Sequence, residues 1–176
     1  MKFRYTSILI VILVGLLTSC NPDNEEVLFR MDFEENFTID PGLSPFLAYY
    51  FELRDISTFW DEQLQINNLT DADIDEVKPA RLRIISLFQE EELDFIEELE
   101  VFVYTEDETN KIDVAYSINV PRNTKYEINL APALPNLKDF FSEDKVNIQI
   151  KMRLRESTTR QSTCRMTLEL KAVKRN

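Results

Sequence analysis

Histidine is absent from the 176 residues of this chain. That one absence excludes Ser-His-Asp and Cys-His nucleophilic catalysis and histidine-ligated zinc. Glycine is nearly as scarce: there are two, and only Gly42 lies beyond residue 20. Loops that cradle phosphate need several glycines for close backbone approach, so P-loop and dinucleotide-binding turns are excluded as well. The two cysteines are Cys20 and Cys164, too few for a disulfide framework. Basic residues number 20 against 32 acidic ones, a net charge of −12. General nucleic-acid binding needs a basic footprint, and this chain lacks one. The longest apolar run, residues 8–17, falls short of the roughly 20 residues that span a bilayer as a helix.

That run is nonetheless the most informative segment. Lys2 and Arg4 precede it, and Leu17-Thr18-Ser19-Cys20 closes it. The order of charged start, short apolar core and small residues before a cysteine resembles a bacterial lipoprotein signal peptide ending in a lipobox. The resemblance implies cleavage before Cys20, a diacylglycerol thioether on its sulfur and an acylated amino terminus, with the membrane as a partner through that anchor. Each buried methylene contributes about 0.8 kcal/mol and a single chain binds only marginally, so two or three chains hold firmly. The competing reading is an ordinary secretory leader with a coincidental cysteine. Residues 21–26 are polar and acidic and read as a short tether. Residue 21 is Asn, not Asp, which by resemblance to the sorting rules of diderm bacteria implies the outer membrane. The acidic cluster resembles the surface-export signals of Bacteroidota lipoproteins but departs from their Lys-Asp-Asp or Lys-Glu-Glu form. The periplasmic or surface face is therefore left open. The expected plan is a signal peptide at 1–19, a lipidated Cys20 with its acidic tether at 20–26, and one domain at 27–176.

Period-two alternation dominates that domain. Val146, Ile148, Ile150, Met152 and Leu154 alternate with Asn147, Gln149, Lys151 and Arg153, the mark of a strand with one face buried. Cys164, Met166, Leu168, Leu170 and Ala172 form a second row, and the two runs read as an antiparallel hairpin reversed by residues 155–162. Residues 112–120 place Ile112, Val114, Tyr116, Ile118 and Val120 on one face, ended by Pro121. Further strands are expected at 27–33, 46–53, 80–88, 99–105 and 126–130. Short helical pieces are expected near 70–77, 93–98 and 135–141, and residues 54–79 as a long crossover. Eight short strands predict an all-β fold, an antiparallel two-sheet β-sandwich of immunoglobulin type with short helical connectors, preceded by a signal-peptide helix. Leu93-Asp94-Phe95-Ile96, the strand from Leu99 to Tyr104, Val114-Ala115-Tyr116 and Val120-Pro121 resemble small uncharacterised lipoproteins of Bacteroidota over residues 79–173. That resemblance implies a β-sandwich and brings no site residues.

Charge is unevenly placed. Both basic residues of positions 1–20 lie in the leader, so the remainder is more acidic still. From residue 151 onward the balance reverses, with Lys151, Arg153, Arg155, Arg160, Arg165, Lys171, Lys174 and Arg175 against Glu156 and Glu169. One expectation is that these basic strand faces lie beside acidic ones as cross-strand ion pairs. The other is a basic patch for lipid phosphates or an acidic partner.

Three clusters carry candidate chemistry. Glu90, Glu91, Glu92 and Asp94 open an acidic stretch whose oxygens suit a hard cation such as calcium, against the plainer reading of a solvated loop. Asp71, Asp73 and Asp75 repeat as at the start of an EF-hand loop, but Glu76 stands where Gly is required and Leu82 where Glu is required, which leaves helix-start chemistry. Six aromatics fall between Phe46 and Trp60. Tyr50 and Trp60 are the two candidates for a sugar-stacking surface, the rest being core by alternation. Cys164, within an apolar row, reads as a small buried hydrophobe. No cofactor and no catalytic residue is identified. The expected function is a non-catalytic outer-membrane lipoprotein that binds an envelope protein or glycan. The alternatives are a carboxylate-dependent hydrolase on the same scaffold, for which any two acids at a set distance suffice, and a structural or assembly factor of the outer membrane.

Overall fold

A computed structural model describes residues 25–89, 91–106 and 108–175. The leader, Cys20 and Glu90 lie outside the described residues. Alternation produces the strands, as β1 (Glu25–Ile39) illustrates. Phe29, Met31, Phe33, Phe37 and Ile39 are buried while Arg30, Asp32, Glu34, Asn36 and Thr38 are exposed. Glu25 and Glu26, expected in the tether, already pair with Arg175 and Lys174 in this strand. The other strands are β2 (Ala48–Ser57), β3 (Glu76–Ser86), β4 (Ile96–Tyr104), β5 (Ile112–Ile118), β6 (Glu127–Pro132), β7 (Lys145–Leu154) and β8 (Ser162–Arg175). Two short helices interrupt them, α1 (Trp60–Asn67) and α2 (Lys138–Phe141). No helix among the described residues is long and apolar enough to cross a membrane.

All eight strands join one antiparallel sheet in the order β1-β8-β3-β6-β5-β4-β7-β2. The sheet curls so far that its two end strands meet: the rings of Phe37 in β1 and Phe51 in β2 lie 5.0 Å apart. It is narrowest in the middle, where β5 and β6 share only the pairs Ala115↔Pro132 and Tyr116↔Ala131. Within the curl lies one apolar core to which every strand contributes, with Phe141 of α2 fully buried against Phe33.

The strands nest by sequence: β1 with β8, β2 with β7, β3 with β6, β4 with β5. This corrects two expectations. The immunoglobulin order, in which the first strand pairs the second, is not the one observed. The expected hairpin of residues 146–154 and 164–172 does not form either. β7 sits between β4 and β2, and β8 between β1 and β3. The physical reason is burial. These two strands have the most continuous apolar faces, with Ile148, Ile150, Met152, Met166, Leu168 and Leu170 all at 0% exposure. A strand flanked on both sides removes more surface from water than one on an edge. Residues 155–161 are long enough to carry the chain from one half of the curl to the other. Antiparallel nesting puts loops 40–47, 87–95, 119–126 and 155–161 at one end, and Glu25, Arg175, α1 and α2 at the other.

The expected crossover within residues 54–79 is present but shorter, 58–75, running from edge strand β2 to β3 on the other half, with 54–57 and 76–79 taken into those strands. Within it, α1 is a helix that pattern reading missed, because only Trp60 of its residues is buried. A readable signal was present at its far end: Asn68, at φ 54, closes the helix in the left-handed conformation that Asn tolerates. The expected helix near 93–98 is a single 3-10 turn, Leu93–Phe95, running directly into β4.

Candidate functional site

The outer face of β5-β4-β7-β2 carries a row of side chains set by register. Tyr50 of β2 opposes Lys151 of β7, Lys151 opposes Glu100 of β4, and Glu100 opposes Tyr116 of β5. Lys151 Nζ lies 3.0 Å from Glu100 Oε2. The row is therefore a tyrosine, an ion pair and a second tyrosine, with Tyr50 and Tyr116 exposed at 55% and 45%. The next row runs Ala48, Arg153, Glu98, Ile118, its ion pair at 3.5 Å and its isoleucine 64% exposed. On the opposite side Gln149 donates to Glu52, whose other oxygen accepts from Tyr104 Oη at 2.5 Å. The Lys111 ammonium stands 5.0 Å over the Tyr104 ring. The charges of this face are largely satisfied by one another; the aromatic and aliphatic groups are left uncovered.

Phe46 and Leu47 extend this surface at the entry to β2, where they are 92% and 61% exposed. Their loop is held firmly. Thr158, itself buried, donates through Oγ1 to the Asp40 carbonyl at 2.8 Å and accepts from the Leu43 N–H at 2.9 Å. Its own carbonyl accepts from the Gly42 N–H at 2.8 Å. Gly42 has a φ of +82°, which only glycine adopts without strain. Tyr49 Oη locks the loop from below, accepting from the Ser44 N–H and donating to the Ser44 carbonyl.

Sequence reasoning placed Tyr50 on this surface but put Tyr116 and Ile118 inside. The difference is a β-bulge. Phe102 pairs with Asp113 and Val101 with Ala115, so Val114 is one residue extra on β5. One extra residue moves every following side chain to the other face. No signal in β5 itself reveals this, because the bulge is defined against β4.

The second aromatic candidate, Trp60, is not at the surface. It is 5% exposed and packs on Phe29 at 5.9 Å between ring centroids, so it belongs to the core and offers no stacking face. Glu91 and Glu92 lie in the connection before β4, and Asp94 in its 3-10 turn. Glu91 accepts from Thr159 Oγ1 at 3.3 Å, and the Asp94 carbonyl accepts from Arg155 at 2.9 Å. Among the described residues no group of three or more His, Cys, Asp or Glu is arranged to hold a metal ion. The Asp71, Asp73, Asp75 repeat is dispersed into structural contacts. Asp71 pairs with Lys138 at 3.0 Å, and Asp75 accepts from the Arg175 N–H at 2.7 Å. The Asp73 carboxyl takes both the hydroxyl and the N–H of Thr70, bonds that hold it below the usual aspartate range. Cys164 is buried, and burial pushes its thiol up to about 11, the opposite of a nucleophile.

The basic carboxy-terminal strands are matched by carboxylates, as the cross-strand expectation had it. Arg165 pairs with Glu34 and Lys171 with Glu25, at 3.0 and 3.1 Å. Arg30 pairs with Glu169, and Arg175 with Glu76. Glu25 also receives Lys78, and the two lysines hold its carboxyl below the usual range while the carboxylates Glu25 and Glu76 raise Lys78. A separate cleft of about 530 Å³ at the α1 end is lined by Asp55, Glu106, Glu143, Asp144 and Lys145, with Asp55 and Lys145 at 3.4 Å.

No family model and no curated protein matches the chain. Among solved structures it is similar to a chain from Desmodium yellow mottle tymovirus, at 11% identity over 84% of this chain and 90% of that one, with a TM-score of 0.25.

Proposed function

We propose that this protein is a non-catalytic binding module, anchored to the outer membrane through lipid on Cys20, that meets an envelope protein with the outer face of β5-β4-β7-β2. The finer fold belongs to the same proposal. The narrow β5–β6 junction and the nested pairing support a reading of the curled sheet as two four-stranded layers, β1-β8-β3-β6 and β5-β4-β7-β2, in the manner of a jelly roll. The observation that carries the binding role is the row Tyr50, Lys151, Glu100, Tyr116 with Ile118, Leu47 and Phe46 beside it. Its charges are paired within the face, so a partner need not neutralise them. Tyrosine supplies a large contact area with a polar tip at low conformational cost, which is why interfaces are rich in it. The convex outer face of a curled sheet suits a protein better than a sugar chain, which favours a groove.

Geometry relative to the anchor supports this placement. Glu25 is five residues beyond Cys20, a reach of at most about 18 Å. A strand of 15 residues such as β1 runs about 50 Å. The loop bearing Phe46 and Leu47 is at the end of that strand opposite Glu25, which supports a binding face remote from the anchor. The test is cross-linking in cells, with the wild type compared with Tyr50→Ser/Tyr116→Ser. The reading predicts a co-purifying protein that the double variant loses at unchanged abundance. An unchanged set of cross-linked proteins would overturn it, as would capture of envelope polysaccharide alone. A Cys20→Ser chain that still matures and fractionates with membranes would overturn the anchor independently.

A further inference from the structure

The two end strands of the sheet leave a seam. Among the described residues β1 pairs only with β8 and β2 only with β7, and no ladder joins β1 to β2. Each strand therefore presents a row of N–H and C=O groups to the gap between them. The gap is closed at one point by Phe37 against Phe51. Beyond that point β2 is bulged between Leu53 and Ile56, with Asp55 at a φ of +58°, and a cleft of about 360 Å³ opens between the strands. Its floor is the buried pair Phe33 and Ile56, and the exposed Phe59 ring stands on its rim.

The charges of this cleft are unbalanced. Four carboxylates, Asp32, Glu34, Glu35 and Asp55, line it with one guanidinium, Arg54; Asp32 and Glu34 sit on the outward phase of β1, near Arg81 and Arg83, and Glu35 on the inward one. Glu34 is tied to Arg165 and Asp55 to Lys145. Among the described residues no cation pairs with Asp32 or Glu35. Glu35 is the anomaly. It occupies the inward phase of β1, in line with Phe29, Met31, Phe33, Phe37 and Ile39, and it is half-buried opposite the fully buried Met166. A carboxylate at an apolar phase loses hydration and gains nothing in return unless a cation reaches it.

We propose that this seam receives an extended, basic segment of a partner protein, which adds as a strand beside β1 or β2. Main-chain hydrogen bonds to the free edges supply affinity, and alternate side chains supply specificity. A lysine or arginine on the inward side of the segment meets Glu35, while an apolar neighbour on that same side lies against Phe33 and Ile56. The site is distinct from the tyrosine face and stands whether or not that face binds a protein. The competing role of an inward charge on an edge strand is to prevent pairing, and the two roles give opposite results.

The experiment uses the full chain in detergent and a fluorescent octapeptide alternating lysine and valine, followed by anisotropy. Three controls are a glutamate–valine counterpart, a lysine–valine peptide N-methylated along one edge, and the Glu35→Gln chain, with its thermal melt recorded. The expected result is saturable binding of the lysine–valine peptide alone, reduced about tenfold by Glu35→Gln, the size of one charge-assisted hydrogen bond. N-methylation, which needs no protein variant, should abolish binding. Equal binding of the glutamate and methylated peptides would overturn the proposal, as would no saturable binding. Self-association of Glu35→Gln with undiminished peptide affinity would assign the residue to edge protection and equally overturn it.

Discussion

The two halves of the curled sheet share an inner face and differ on the outer one. Inside, β8 and β7 contribute matching apolar rows, Met166, Leu168, Leu170 and Ile148, Ile150, Met152. Outside, the β1-β8-β3-β6 half is laced with ions: Arg30–Glu169, Arg165–Glu34, Lys171–Glu25, Lys78–Glu76 and Arg81–Glu127. The other half keeps fewer, Lys151–Glu100, Arg153–Glu98 and Lys145–Asp55, and flanks the first two with Tyr50, Tyr116 and Ile118. Folding requires the inner faces to agree. It places no such demand on the outer faces, so the divergence between them marks where a task beyond folding resides.

The largest effect should come from the shared interior. Ile150→Ala in one half and Leu168→Ala in the other each leave a cavity at a fully buried site, expected to cost about 2–5 kcal/mol. Urea melts should show one transition for both variants, because both side chains belong to one core. Two separated transitions would show that the halves fold apart.

The Thr158 latch comes next. Thr158→Val leaves the Leu43 N–H and the Asp40 carbonyl without their partner, for about 1–3 kcal/mol. It should also loosen the loop carrying Phe46 and Leu47, so amide exchange at residues 42–47 should accelerate while β8 stays protected.

Smaller still is the pH response of the charged half. The Glu25 carboxyl lies below its ordinary 4.5, so its contribution is present above that pH and lost as pH falls through the lower folded value. Lys78 lies above its ordinary 10.5, so its contribution is present below that pH and lost as pH rises through the higher folded value. The pair should therefore support the fold across the interval between 4.5 and 10.5. In thermal melts Glu25→Gln should be milder than wild type in its loss below that interval. The tyrosine face should give the smallest stability change of all. Tyr50→Ser and Tyr116→Ser are expected to stay within about 0.5 kcal/mol of wild type while removing the cross-linked partner. A large stability loss there would mean the tyrosines serve the fold after all.

Much of the fold is legible in the chain. Each of the eight strands overlaps a run found by alternation, because a half-buried strand imposes its period on the sequence. Pairing is another matter. The rows in β7 and β8 look like a hairpin, and nothing local says that each is to be flanked by two other strands. The candidate surface shows the same limit. Tyr50 was readable from its phase in β2, but Trp60 is drawn into the core by Phe29. Tyr116 and Ile118 are turned outward by a bulge that exists only against β4. Phe46 and Leu47 look like the first residues of a strand until Thr158, far along the chain, is seen to hold their loop.

By itself the sequence determined the class of structure, the strands and the residue types available for chemistry, since period, hydrophobicity and the lack of histidine are local properties. Tertiary structure alone decided which strands are neighbours, which carboxylate answers each basic residue and which aromatic side chains meet solvent. Those outcomes depend on contacts between residues distant in the chain, where a single inserted residue reverses a face and where burial goes to whichever arrangement covers the most apolar surface.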